Sequence, residues 1–311
     1  MARVCQDWFP ETDGFYMDDR LIMQLEVILR NVKNDWDFTI LVTGQGEVRV
    51  GKSMIAMQIG AYWSYEVKKR YGIDVPFNLE DNFVFDGKKL IEKGNKLGQN
   101  TKYACLIFDE AGADLEGRKA IQVQTQDVLD YYRECGQYNM LNVLVIPEFF
   151  DLPKGLALSR SIFLIDVFYS VNQEAIFQRG YFNFYSRRSK KLLYMFGKKE
   201  LNYSVIKSDF GKIPGRFHKF FPIEEKAYRD AKYFALKKRE GRKKDMITLG
   251  RNSAWYILSS EYGMTYEKIA QRMTNLIGKY VAKETVRDAI ANYLDYNHKI
   301  TGTEPPKGEG D

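Results

Sequence analysis

Cysteine and histidine are scarce. The 311 residues hold three cysteines and two histidines, and Cys5, Cys105 and Cys135 stand far apart with no CxxC pair. A disulfide framework, a zinc site and a histidine-rich metal centre are thereby excluded, and buried free thiols in a reducing cytoplasm are expected. Long apolar runs are missing too. No eighteen consecutive apolar residues occur, and the opening MARVCQDWFPETD has no apolar core of the signal-peptide kind. Neither a membrane span nor a secretory signal is expected, and the location reads as cytoplasmic. No internal repeat is visible.

The chain does have ample material for a core, with 45% hydrophobic residues. Its length suits a main domain and a small second one. The net charge of +6 conceals a strong asymmetry. Residues 179–244 contain 20 Lys/Arg against 6 Asp/Glu, a net of +14, and the remaining 27 positive and 35 negative residues carry −8. An acidic body with one basic stretch suits a polyanionic partner, nucleic acid first and an anionic membrane second; a solvated charged face is the other reading.

Apolar periodicity predicts a helix over 18–33, then a buried strand over 37–43 (DFTILVT) that stops at Gly44. A helix is expected from 51 to about 69, a strand near 82–85, and a helix from about 86. Further buried strands are expected at 103–108, 141–146 and 162–169, with a helix over 123–134. Strands alternating with helices in this way mean an α/β fold with a parallel sheet and crossover connections. Beyond residue 175 the text alternates aromatic and polar residues, which predicts a basic β-hairpin or small antiparallel sheet over about 179–222, with SRRSKK as its turn. The expected organisation is a main domain over 1–235 and a basic linker over 236–250. A helical, helix-turn-helix-like domain then covers 251–300, with a disordered tail over 301–311.

Residues 46–53 read G-E-V-R-V-G-K-S, which fits G-x-x-x-x-G-K-[ST] and falls between a strand and an apolar helix. Triphosphates need inward-facing backbone N–H groups, which glycines allow, and a helix N-terminus adds its own. Gly44, Gly46, Val50, Gly51, Lys52, Ser53 and Met54 are therefore the expected ATP-binding residues. Lys52 would reach the β- and γ-phosphates and Ser53 would ligate Mg²⁺. Asp109 and Glu110 end the buried run LIF, at the strand end where open α/β sheets bind ligands. Asp109 would hold Mg²⁺ and Glu110 would polarise the attacking water. Capping the next helix is the alternative use for two such carboxylates.

A guanine-specific N-K-x-D is absent, since Asn95-Lys96 is followed by Leu-Gly, and no LSGGQ occurs. The chain is therefore not read as a GTPase or an ABC-type protein. VTGQGEVRVGKS, LIFDEAGADL and NVLVIPEFFDLPKGLALSRSIFLIDV together resemble the FtsK/HerA-type ATPases, closest to Zot-like and related forms of phages, archaeal viruses and conjugative elements. The resemblance covers roughly 35–235. It implies a RecA-like (ASCE) core and a homo-oligomeric ring, six subunits being one size, that moves or packages DNA. It also implies an arginine supplied by one subunit to its neighbour's site, for which Arg160 and then Arg133 are the candidates. One departure stands out: the strand over 141–146 ends in Pro147-Glu148, where such enzymes place a Gln or Asn sensor.

For nucleic acid, Arg187, Arg188, Lys190, Lys191, Lys198 and Lys199 are the expected phosphate contacts. The aromatics among them are read first as packing onto the body and second as base-stacking platforms. Near the C-terminus, Thr265 is placed to cap a helix whose inner face carries Ile269, Ala270 and Met273, and Val286 and Ile290 line the next one. Lys283 and Arg287 would then face DNA. Three functions remain open: a DNA-translocating, packaging or transfer motor, an ATP-switched DNA-binding adaptor such as a helicase loader or transposition regulator, and a Zot-like morphogenesis ATPase. Other proteins of the same mobile element are possible partners.

Overall fold

Short apolar runs rich in β-branched residues make strands that need cover on both faces. In the computed structural model, which describes residues 1–115, 123–206 and 212–301, every residue of β3 (Phe38–Thr43) is buried. Before it come a hairpin of β1 (Ala2–Val4) and β2 (Phe15–Met17), then α1 (Asp19–Val32). Asp18 caps α1 by accepting the Arg20 N–H at 3.0 Å. Leu21, Leu25, Ile28, Leu29 and Val32 fall on one face of that helix and are all buried.

After β3 the order is α2 (Lys52–Tyr71), α3 (Leu79–Asn82), β4 (Phe83–Val84), α4 (Gly87–Asn100), β5 (Cys105–Phe108), α5 (Gly112–Leu115) and α6 (Val123–Glu134). Then come β6 (Leu141–Val145), a short π-helix (Gly155–Arg160), β7 (Phe163–Val171), β8 (Phe177–Tyr185), α7 (Arg187–Gly197) and β9 (Lys212–Arg216). The sheet has seven strands in the order β4-β5-β6-β3-β7-β8-β9. The five strands from β4 to β7 in that order run parallel, while β8 and β9 are antiparallel additions at one edge. β3 and β5 are therefore separated by one strand, β6.

The periodic segments fall where the sequence puts them, within a residue or two. Two expectations are corrected, the SRRSKK turn and the break over the basic run. SRRSKK is no hairpin turn: Ser186 caps α7 by accepting the Ser189 N–H, and Arg187 begins the helix. Phe182, Phe184, Tyr185 and Tyr194 are buried in the main core, in keeping with the first reading of these aromatics as packing onto the body. Residues 236–250 are helical throughout, inside α8 (Glu225–Ser260). Lys and Arg are good helix formers, so a charge run with one glycine need not break a helix. The tail expected over 301–311 lies, from 302 onward, outside the described residues.

The chain divides into two units, Met1–Lys232 and Tyr233–Asp311. In the second, the end of α8 with α9 (Tyr266–Ile277) and α10 (Lys283–Thr301) encloses a small core of Trp255, Ile269, Ala270, Val286, Ala289 and Ile290. Thr265 caps α9, and Gly278 ends it in the left-handed region at φ 67°.

Candidate active site

The loop from Gly44 to Gly51 leaves the C-terminal end of β3 and delivers the chain into α2. Gly46 and Gly51 have φ of 74° and 112°, conformations closed to most side chains. Gln45 and Arg49 are also left-handed, at 53° and 60°. That strain is held by outside contacts: the Gly46 N–H donates to Pro147 O at 2.9 Å, and Thr43 Oγ1 donates to the same carbonyl at 3.2 Å. The Phe217 ring lies against Gly51 on the other side. Val50 is buried and Met54 packs on the main core, so both anchor the loop. Lys52 bends back to donate to Glu47 O. Burial lowers its ammonium pKa, helped by the charge of Lys232, while Glu110 and Asp109 pull the other way.

Asp109 and Glu110 follow β5 directly. The Asp109 side chain is buried and Glu110 is left-handed, at φ 59°. The Glu110 N–H donates to Asp109 Oδ1 at 2.9 Å, which leaves Oδ2 facing α8. There the Lys232 ammonium lies 3.1 Å from Asp109 Oδ2, 2.7 Å from Glu110 Oε1 and 3.4 Å from Ser53 Oγ. Tyr228, one turn earlier on the helix, donates its hydroxyl to Asp109 Oδ2. Burial alone would lower the Lys232 pKa, but Asp109 and Glu110 outweigh it and raise it. Burial likewise pushes the Tyr228 phenol far up, with Asp109 adding to it.

This arrangement tests whether a divalent cation fits. One positive charge already reaches the Ser53 hydroxyl and the Asp109 carboxylate together, so the two oxygens converge on a common point. A hydroxyl with a carboxylate is a hard-oxygen set of the kind Mg²⁺ takes alongside phosphates and water. The donor set fits.

A second carboxyl supports the loop. Asp166, on β7, pairs in register with Thr43 and accepts from Gln45 Nε2 at 2.7 Å. It is fully buried, and burial pushes its carboxyl up to about 7 despite the Gln45 hydrogen bond.

Arg133 and Arg160 lie elsewhere. Arg160 Nη2 donates to Arg133 O at 2.9 Å, and both line a cavity of about 350 Å³ with Leu129, Tyr132 and Leu156. The positive charge of Arg160 acts on Asp37, just before β3, and the Ile162 N–H pairs with Thr39 O near that same end. The loop leaves the far end of the same strand, about 20 Å away at ~3.3 Å per residue. An arginine side chain does not bridge that span to its own subunit's loop.

Among the expected phosphate contacts, Arg187, Arg188, Lys191, Lys198 and Lys199 are exposed on and just after α7. Lys190 is the exception and is corrected: it is fully buried and donates to the carbonyl and hydroxyl of Ser161. Helical periodicity places it with Leu193, Tyr194 and Gly197 on the inward face, which a hairpin reading concealed. Burial depresses its ammonium to about 7. Lys198 lies 4.3 Å from the centre of the Tyr194 ring. Lys283 and Arg287 are exposed on α10, and Arg287 pairs with Asp288 at 3.1 Å.

Sequence reasoning missed Tyr228 and Lys232. The available signal was a hydroxyl and a cation four residues apart, hence on one face. Gln45 and Asp166 carried no such signal, because 121 residues separate them.

No protein-family model and no curated protein matches the chain. Among solved structures it is similar to the DNA-packaging ATPase B204 of Sulfolobus turreted icosahedral virus, at 17% identity and a TM-score of 0.34, over 50% of this chain and 94% of that one. The genome-packaging NTPase B204 of Sulfolobus turreted icosahedral virus 2, in complex with ATP-gammaS, is similar at 14% identity and a TM-score of 0.32 over the same shares. The KaiC-like protein PH0186 of Pyrococcus horikoshii is similar at 14% identity and a TM-score of 0.29, over 49% of this chain and 78% of that one.

Proposed function

We propose that this chain is an FtsK/HerA-type P-loop ATPase with a RecA-like core, belonging to a virus or mobile element, that works on DNA as a ring-shaped oligomer. The observation that carries the reading is the convergence of Ser53, Asp109 and Glu110 on one cation position, beside a strained glycine loop. The two strands that deliver them, β3 and β5, are parallel and end on the same side of the sheet.

ATP with Mg²⁺ supplies the scissile phosphoanhydride bond and the charge that stabilises its breaking. The chain's part is positioning. Backbone N–H groups of residues 46–53 hold phosphate oxygens, and Lys52 neutralises them. Ser53 and Asp109 would hold the metal, and Glu110 would orient a water and accept its proton. Arg160 and Arg133, too far from their own loop, are suited to a neighbouring subunit's site. The exposed cations of α7 and of α10, the latter in a helix-turn-helix-like domain, would neutralise DNA phosphates.

The test is steady-state ATP hydrolysis with and without duplex or single-stranded DNA. A motor shows DNA-stimulated turnover that Lys52→Ala abolishes. Slow turnover indifferent to DNA, with ATP-dependent assembly, would replace the motor by a switched adaptor or a morphogenesis ATPase.

A further inference from the structure

Lys232 is the residue the nucleotide reading leaves without a task, and its contacts are specific. An ammonium has three N–H donors. Here three oxygens surround it, at 2.7 Å on Glu110, 3.1 Å on Asp109 and 3.4 Å on Ser53. They belong to the three residues assigned to the metal and the attacking water. The Asp109 side chain is only 1% exposed and that of Lys232 23%, so this is a shielded ion pair and not a surface one. Tyr228 precedes Lys232 by four residues and reaches the same Asp109 oxygen. The first turns of α8 thus set both groups against the end of β5.

Resting on the nucleotide-site reading above, we propose that Lys232 is a built-in counter-cation, which holds the divalent-metal position and the catalytic glutamate until metal–nucleotide loading expels it. Two physical points carry this. A buried carboxylate without a compensating charge is costly, and Lys232 removes that cost when no metal is bound. A metal at about 2.1 Å from Ser53 and near Asp109 would lie within a few ångströms of the ammonium, and like charges that close repel strongly. The two cations therefore exclude each other. While Lys232 is engaged, Glu110 Oε1 is held by the ammonium instead of by a water; the release of Lys232 on metal binding turns that carboxylate toward the water, which keeps it idle in the empty site.

The experiment measures Mn²⁺ binding to the full chain by electron paramagnetic resonance, with Mn²⁺ alone and with Mn²⁺ plus ADP. Wild type is compared with Lys232→Met and Lys232→Arg. Lys232→Met is expected to bind Mn²⁺ about ten-fold or more tighter in both conditions, the order of one charge-assisted hydrogen bond. Lys232→Arg, which keeps the charge, stays near wild type. Equal or weaker binding by Lys232→Met overturns the proposal, and weaker binding confined to the ADP condition makes Lys232 a phosphate ligand. The wild type offers a second measurement that needs no variant to fold. Amine-reactive labelling of Lys232, read by mass spectrometry, should be slow in the free protein and faster with Mg²⁺ and ADP. Unchanged or slower labelling in a protein that binds ADP overturns the latch alone. A wild type that binds no ADP overturns the nucleotide reading, and the Mn²⁺-alone comparison then still decides whether Lys232 competes with metal.

Discussion

Replacing Asp166 with asparagine isolates the cost of a buried carboxyl beside the phosphate loop. Asp166 is fully buried on β7 and accepts from Gln45 Nε2 at 2.7 Å, a bond that an asparagine Oδ1 can keep. Burial pushes the carboxyl from 3.8 to about 7, with Glu148 adding to the rise and Lys212 opposing it. Because the folded value lies above the unfolded one, the unfolded chain loses its proton first as pH rises. The wild type is thus relatively most stable below pH 3.8 and loses that advantage up to about pH 7. Three units at ~1.36 kcal/mol each set the loss at roughly 4 kcal/mol. Urea unfolding of wild type and Asp166→Asn at several pH values from 4 to 8 reads it directly, since all other titrations cancel in the difference. The stability of wild type minus variant should fall by a few kcal/mol across that range. A flat difference would refute the reasoning. One that rises with pH would mean that Asp166 is held as an ion by its neighbours.

Lys190→Met should leave stability unchanged or raised in thermal melts, and DNA affinity unchanged, because the amine is buried and Ser161 Oγ also donates to Leu156 O and Ala157 O. Replacing Arg187, Arg188 and Lys191 together with alanine should instead weaken DNA binding about equally for all sequences. It should reduce the slope of log K against log salt by roughly 3 in filter-binding or anisotropy titrations. Arg160→Ala should lose ATP hydrolysis but retain ATP binding. Mixing it with Glu110→Gln subunits should restore part of the activity, since each then supplies what its neighbour lacks; no recovery in a confirmed mixed oligomer would remove Arg160 from the site.

The parallel part of the sheet was legible because its strands are mostly apolar, so β3, β5, β6 and β7 announce themselves over short windows. Gly46–Ser53 and the Asp109–Glu110 pair were legible for a related reason: each is contiguous in sequence, and chemistry fixes its spacing. What failed was non-local or ambiguous. α7 was mistaken for a turn because Arg187 to Lys191 is mostly charged, and its inward face shows only when Lys190 is counted with Leu193 and Tyr194. The basic run within 236–250 was expected to interrupt the helix because charge and glycine suggest breaks, while lysine and arginine in fact favour helix. Lys232 lies 123 residues from Asp109 and no local pattern ties them. Only the packing of α8 against β5 brings that cation to its carboxylates.

The most direct test of the central claim separates binding from chemistry at this site. Fluorescent ATP binding and single-turnover hydrolysis should be measured for wild type, Lys52→Ala and Glu110→Gln. Lys52→Ala should lose binding. Glu110→Gln should bind ATP within a few-fold of wild type and hydrolyse it at least about a hundred-fold more slowly, the usual loss of a general base. Hydrolysis by Glu110→Gln at the wild-type rate would contradict the account, because the carboxylate at the end of β5 would then take no part in the reaction.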